Sequence, residues 1–143
     1  MSLKVVRLIF GCFSTLLKER AHAMTTHTGS CHCGTVTFEI SGNLEKGVRC
    51  DCSLCKRKGA IMVLVEKDQF TLTSGEDNLC LYEWNSKVAK HYFCRSCGIY
   101  THHKRRRDDG MCFNLGCVDD FNIEMLGEIG LVSGSKLSLI DEA

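Results

Sequence analysis

The sequence predicts an all-β fold of short, mainly antiparallel strands that is stabilised by zinc. Apolar and polar residues alternate in several short segments beyond Met24, and no segment there shows a long helical period. The 11 cysteines among the 143 residues fall largely into three tight clusters. Close thiols in short loops are typical of metal sites, whereas a chain of this length needs no disulfide scaffold to fold.

The composition is that of an ordinary globular protein. Hydrophobic residues make up 44% and charged residues 24% of the chain. The net charge of +1 gives no indication of a nucleic-acid or membrane partner. Because proline is absent, the turns depend on the 13 glycines and on Asn, Asp and Ser.

Residues 1–23 are expected to be a leader, and residues 24–143 a single zinc-binding domain. Two cations precede the apolar run 8–17, and a small-residue tripeptide follows it, which is the outline of a secretory signal. An amphipathic helix is one alternative, and an upstream extension before a natural start at Met24 is another. The run is too short to span a bilayer. We expect a dispensable leader and a cytoplasmic protein without membrane contact.

Strands are predicted in order along the rest of the chain. Residues 35–40 place Val36, Phe38 and Ile40 on one face and polar side chains on the other. The apolar run 61–65 predicts a strand that is buried on both faces. Further strands are predicted at 69–73, at 79–84 and 88–93 as a hairpin, at 100–104 and at 111–118.

Two pairs of cysteines predict a closed structural zinc site. Cys94 and Cys97 form a C-x-x-C turn that is followed by glycine, and Cys31 and Cys33 are flanked by glycines on both sides. Such turns aim two sulfurs at one point, so the two pairs together supply four tetrahedral ligands. A redox C-x-x-C is the alternative, but the βαβ pattern expected around it is missing.

The third cluster, Cys50, Cys52 and Cys55, supplies only three thiols. Structural zinc sites are closed, whereas catalytic sites keep one position open for water or substrate. The trio therefore predicts a zinc ion that accepts a further ligand. Alternatively, a fourth side chain closes the site, and the candidates are Cys80, Cys112, Cys117, His91, His102 and His103.

Three thiolates would leave a bound Zn²⁺ with a net negative charge and make it a weak Lewis acid. Such a metal is suited to binding an added thiol, whose pKa it lowers to leave a nucleophilic sulfur. The cations Lys56, Arg57 and Lys58 follow directly and would attract an anionic thiol. The alternative for them is a solvated basic turn.

Four segments in this order carry a family resemblance: "GSCHCGTVTFEI", "CDCSLCKRKGA", "FCRSCGIYTHH" and "FNLGCVDDF". Over residues 29–121 the chain resembles the glutathione-dependent formaldehyde-activating enzymes, a family that includes centromere protein V. The resemblance implies an Mss4-like fold and two zinc ions per chain. By position, Cys31, Cys33, Cys94 and Cys97 match the family's structural ligands, and Cys50, Cys52 and Cys55 match its catalytic ligands.

The resemblance also implies an activity. Family members join formaldehyde to the thiol of glutathione, their co-substrate, and the product is S-(hydroxymethyl)glutathione. The reverse reaction makes such an enzyme a carbon–sulfur lyase. Other thiols or aldehydes, and binding without turnover, remain alternatives, because fold and family alone do not determine function. Cys12, Cys80 and Cys112 lie outside the family pattern and are interpreted as apolar filler.

The segment 100–107 joins two histidines to four cations. Adjacent residues on a strand point to opposite faces, so at most one histidine faces the metal, and His102 is the candidate proton donor. Lys56, Arg57 and Arg105 are the candidates for binding the glutathione carboxylates. Nucleic acid is disfavoured, because the basic run lacks interleaved aromatics and two aspartates follow it. A zinc-stabilised module that docks protein or nucleic acid through 104–107 is the alternative function; the oligomeric state is not indicated.

Overall fold

The structure is a computed structural model that describes residues 24–136, so the predicted leader lies outside the described residues. Ten strands and one α-helix occur in the described part: β1 (Thr26–Ser30), β2 (Thr37–Ser41), β3 (Val48–Cys50), α1 (Ser53–Lys58), β4 (Met62–Val65), β5 (Phe70–Ser74), β6 (Leu79–Tyr82), β7 (Lys90–Cys94), β8 (Tyr100–Lys104), β9 (Met111–Asn114) and β10 (Gly130–Val132). Short 3₁₀ turns occupy Lys67–Gln69, Glu76–Asn78, Leu115–Cys117, Ile123–Met125 and Gly134–Lys136.

The strands form two sheets, which confirms the predicted all-β fold. The smaller sheet has the order β1-β2-β5, and the larger has the order β10-β3-β4-β9-β8-β7-β6. All neighbouring strands are antiparallel except β10 and β3, which are parallel. In the part of the chain that the structure describes, no helix is long and apolar enough to cross a membrane.

The core lies between the two sheets. Alternation in β2 buries Phe38 and Ile40 against residues of the larger sheet that include Val63 and Phe113. The prediction of a strand buried on both faces is only partly right for β4. Its neighbours on the chain are buried, but Leu64 is 45% exposed, because the cover of the outer face does not extend to it.

The remaining differences from the predicted strands have local causes. The predicted strand 111–118 stops at Asn114, whose side-chain oxygen accepts the Gly116 N–H at 3.1 Å and caps a 3₁₀ turn. The predicted hairpin has a longer loop than expected, in which Asn85 and Lys87 adopt positive φ. Strands β1, β3 and β10 were not predicted, because β1 has no apolar alternation and β3 and β10 have only three residues each.

Candidate metal centres

The four cysteines of the predicted closed site meet where the two sheets come together. Cys31 and Cys33 lie in the connection from β1 to β2, and Cys94 and Cys97 lie at the turn from β7 to β8. All four Sγ atoms lie within 4.8 Å of one another. Cys33 Sγ is 3.5 Å from Cys31 Sγ and 3.7 Å from Cys94 Sγ. Sulfurs at the corners of a zinc tetrahedron would be ~3.8 Å apart, so the arrangement fits the metal.

Two similar turns aim these sulfurs. The Cys31 carbonyl accepts the Gly34 N–H at 3.0 Å, and the Cys94 carbonyl accepts the Gly98 N–H at 2.8 Å. The two glycines have φ of +76° and +75°, a left-handed conformation that other residues adopt only with strain. Each glycine therefore closes a turn that places its pair of thiols side by side.

Without a bound metal, the pKa values of the Cys33 and Cys94 thiols are shifted in opposite directions. Burial raises the pKa of the Cys94 thiol to about 11, while the Thr35 side chain and backbone beside Cys33 lower its pKa to about 6. Asn78 Nδ2 donates to Cys94 Sγ at 3.1 Å, which stabilises a thiolate there. A coordinated thiol is deprotonated outright, so zinc would remove this difference. The donor set is that of a structural zinc ion.

The trio is built by the start of the helix. Cys50 ends β3, Cys52 is the N-cap of α1, and Cys55 lies in its first turn. The Cys52 sulfur accepts the Cys55 N–H at 3.4 Å, and the three Sγ atoms lie within 4.8 Å of one another. Burial and the neighbouring thiols raise the pKa of Cys55. Among residues 24–136, no fourth His, Cys, Asp or Glu joins the trio within that distance.

A segment that we call the strap, residues 130–136, lies against the trio. The parallel pairing of β10 with β3 places Val132 opposite Cys50, and the Asp51 N–H donates to the Val132 carbonyl at 3.1 Å. The Ser135 N–H donates to Asp51 Oδ1 at 2.8 Å and lowers the pKa of that carboxyl. A Cβ atom built on Gly134 would lie 2.3 Å from Cys50 Sγ. The strap therefore reaches the trio so closely that only glycine fits.

Substitution of Gly134 by alanine is expected to weaken zinc binding at the trio by about tenfold or more, because the methyl group would displace Cys50 or the strap. The amount of zinc per chain after dialysis measures this effect. Gly127→Ala is the matched control, since a Cβ there would meet nothing within 4 Å. Equal zinc retention in the two variants would show that the strap does not constrain the trio.

A second polar cluster lies next to the helix. Lys58, the last residue of α1, places its Nζ 2.8 Å from His91 Nδ1 and 3.6 Å from the centre of the Tyr100 ring. The His91 and His103 rings are 4.9 Å apart, and Tyr100 Oη is hydrogen-bonded to His103 Nδ1. A register shift makes this possible, since Thr101 is an extra residue of β8 opposite β7. Such a bulge brings Tyr100 and His103 to one face.

The cluster is mostly uncharged apart from the lysine. Burial lowers the pKa of His91 to about 4 and that of His103 to about 3, so both rings are neutral near pH 7. Burial also raises the pKa of Tyr100. The pKa of Lys58 is lowered by burial to about 8, against the opposing effect of the trio thiols. Sequence reasoning did not identify this cluster, because the bulge that assembles it has no signal in the residue pattern.

His102 lies on the opposite face of the larger sheet. It is 4% exposed, its ring is 4.6 Å from that of Phe70 in the smaller sheet, and it is 4.7 Å from that of Tyr92. Burial lowers its pKa to about 4. The structure thus brings His103, not His102, to the face that carries Lys58. A proton-donor role for His102 stays a prediction, and packing between the sheets is its structural alternative.

The predicted carboxylate-binding cations lie on two separate segments, with Lys56 and Arg57 on α1 and Arg105 after β8. Lys56 and Arg57 are exposed on α1, where Arg57 Nη1 donates to the Ser53 carbonyl at 2.8 Å. Arg105 Nε is 2.7 Å from Asp108 Oδ1, an ion pair without an aligned hydrogen bond. Lys104 and Arg105 are thus offset by local carboxylates. Their predicted role in binding a ligand stays a prediction.

Among the described cysteines, Cys80, Cys112 and Cys117 belong to neither metal cluster. Cys112 and Cys117 are 5% and 6% exposed, and Cys117 belongs to the core between the sheets. Burial raises the pKa of each thiol to about 12. Cys80 lies on β6, and Cys12 is outside the described residues. The interpretation as apolar filler suits Cys112 and Cys117.

A cleft of about 550 Å³ opens at the C-terminal end of α1, where Lys58, Gly59 and Ala60 line it. Its lining includes Arg49, which precedes Cys50, and Lys58, together with Asn114, Phe121 and Asn122. Cations, amides and an aromatic ring therefore face one space, and none of the trio cysteines lines it. A wider depression of about 650 Å³ around Gly47 and Gly130 has no cysteine in its lining.

Comparison with known proteins places these features in context. The sequence profile of the family described as "Glutathione-dependent formaldehyde-activating enzyme" matches residues 26–128. The crystal structure of a Rhodobacter sphaeroides protein superimposes with a TM-score of 0.69 at 39% sequence identity, covering 73% of this chain and 99% of that one. Both metal clusters lie inside the matched range, whereas the strap that covers the trio lies beyond it.

Proposed function

The chain belongs to the glutathione-dependent formaldehyde-activating enzyme family, and on this premise we propose that it joins formaldehyde, or a similar small aldehyde, to the thiol of glutathione. The product is S-(hydroxymethyl)glutathione, and the reverse reaction is that of a carbon–sulfur lyase. The observation that carries the proposal is the trio of thiols, which no fourth side chain completes among the described residues. A purely structural zinc site has no need of an open position.

The proposed chemistry joins a thiol sulfur to a carbonyl carbon. A zinc ion bound to Cys50, Cys52 and Cys55 would lower the pKa of an incoming thiol and keep it as a nucleophilic thiolate. The sulfur attacks the aldehyde carbon, the carbon–oxygen π pair moves to oxygen, and that oxygen gains the proton that the thiol gave up. No oxidant or reductant is needed, and the four-cysteine site takes no part.

We propose the cleft at the C-terminal end of α1 as the site of the peptide part of glutathione. Its volume of about 550 Å³ is within the range of small-molecule sites. Arg49 brings positive charge to it, and Asn114 and Asn122 bring amide groups. These groups suit the carboxylates and peptide bonds of a tripeptide thiol. Lys56, Arg57 and Arg105 remain the proposed partners of the glutathione carboxylates.

The proposal includes two zinc ions per chain and a cytoplasmic location. The described cysteines are all free, which agrees with a compartment where reduced glutathione is abundant. Four sulfurs would hold the structural zinc and three would hold the catalytic one. Small molecules, rather than nucleic acid, are the proposed partners.

Glutathione at 100 times its dissociation constant is expected to raise the thermal midpoint of the zinc-loaded protein by about 5–10 °C, because a ligand of the native state stabilises it by mass action. Differential scanning fluorimetry measures the shift. Cys52→Ser is the control and should show no shift. If both proteins respond equally, the trio is not the binding site, and a zinc-stabilised binding module becomes the better interpretation.

A further inference from the structure

Lys58 differs from the other cations of the basic run because its ammonium group is turned inward. Lys56 and Arg57 are exposed, whereas Lys58 is partly buried and its ammonium group contacts His91 and Tyr100 of the larger sheet. A buried charge normally has an opposite charge as its partner. In the part of the chain that the structure describes, no carboxylate oxygen lies within 4.0 Å of Lys58 Nζ.

The groups that touch Lys58 do not supply the missing negative charge. His91 Nδ1 and the face of the Tyr100 ring are neutral contacts that fix the ammonium in place. The Cys112 thiol also affects Lys58 electrostatically. Burial keeps this thiol protonated, however, so it supplies no negative charge. The remaining candidates are the trio sulfurs, and Cys55 lies one helical turn before Lys58.

We propose that Lys58 is the counter-ion of the trio, held in place by His91 and Tyr100. Three thiolates and one Zn²⁺ carry a net negative charge, and a fourth thiolate increases it. A fixed ammonium nearby stabilises both charge states, so Lys58 favours metal binding at the trio and favours an anionic sulfur over neutral ligands there. Only the preference for a thiolate rests on the proposed function; the effect on metal binding does not.

The first test is competition for zinc by the chelator 4-(2-pyridylazo)resorcinol. Lys58→Met is expected to release the trio zinc at about tenfold lower chelator concentration, while the four-cysteine zinc is unchanged. Lys58→Arg should restore retention, because it keeps the charge. Lys67→Met removes one exposed charge outside the trio and its helix, and it should match the unsubstituted protein. Equal release from the Lys58→Met and Lys67→Met proteins would overturn the proposal.

The second test compares two ligands by calorimetry with zinc-replete protein. Lys58→Met should weaken glutathione binding about tenfold and leave S-methylglutathione, which has no thiol, unchanged. Equal losses for both ligands would show that Lys58 contacts another part of the tripeptide. If the unsubstituted protein does not bind glutathione, the proposed function fails, and the chelator series still decides the role of Lys58. Should Lys58→Met not fold, Lys58→Gln removes the charge and keeps a polar side-chain end, and the same expectations apply to it.

Discussion

Replacing Cys94 by serine is expected to leave the chain unfolded at 25 °C. Cys94 is fully buried, and its sulfur lies in the cluster that joins the β1–β2 connection to the β7–β8 turn. A structural zinc ion contributes about 10–16 kcal/mol in small zinc-dependent domains, whereas a whole domain is stable by only about 5–15 kcal/mol. Loss of even a part of that binding energy exceeds what the core can offset.

Far-ultraviolet circular dichroism and zinc content together measure this outcome. Cys80→Ser is the matched control, because Cys80 lies on β6 outside both clusters and should leave the protein folded with its full zinc content. A Cys94→Ser protein that melts at the same temperature as the control would refute a structural role for the four-cysteine site.

Replacing Cys52 by serine is expected to keep the fold and to abolish catalysis. The substitution removes one of three sulfurs at a site that one short segment builds, so the sheets and the other zinc should persist. The rate of exchange between glutathione and S-(hydroxymethyl)glutathione should fall by at least about 100-fold toward the uncatalysed rate. The reason is that a bound metal lowers the activation free energy by several kcal/mol.

Exchange spectroscopy by nuclear magnetic resonance measures this rate at equilibrium, where the spontaneous reaction gives the baseline. Ser53→Ala is the control, since this neighbour offers no metal ligand and its exposed side chain faces solvent. Full activity in a Cys52→Ser protein that has lost one zinc ion would exclude the trio from the reaction.

Both cysteine clusters could be predicted from the sequence because their ligands recur at fixed, short spacings. A C-x-x-C turn and the trio each bring sulfurs together through local backbone geometry, so spacing alone limits where they point. The alternation in residues 35–40 was equally informative, because one face of β2 meets a core. The segments 69–73 and 100–104 likewise lie within one residue of β5 and β8.

The surroundings of the trio were not predictable in the same way. Helix α1 has only six residues, which is too short for a helical period to appear. The position of His103 beside Tyr100 depends on one extra residue in β8, and that residue reverses the face that simple alternation assigns. The contact of Gly134 with Cys50 joins residues that are distant in the chain, so no local pattern could indicate it.

The two metal clusters differ in how much of the chain must be organised before they exist. Cys52 and Cys55 are three residues apart, whereas Cys33 and Cys94 are 61 apart. Closing the longer loop costs roughly 2 kcal/mol more in chain entropy, before any contact compensates for it. An unfolded chain can therefore bind zinc at the trio first, whereas the four-cysteine site forms only when both sheets have assembled. During synthesis, the nascent protein would therefore bind its first zinc ion at the site that is proposed for catalysis.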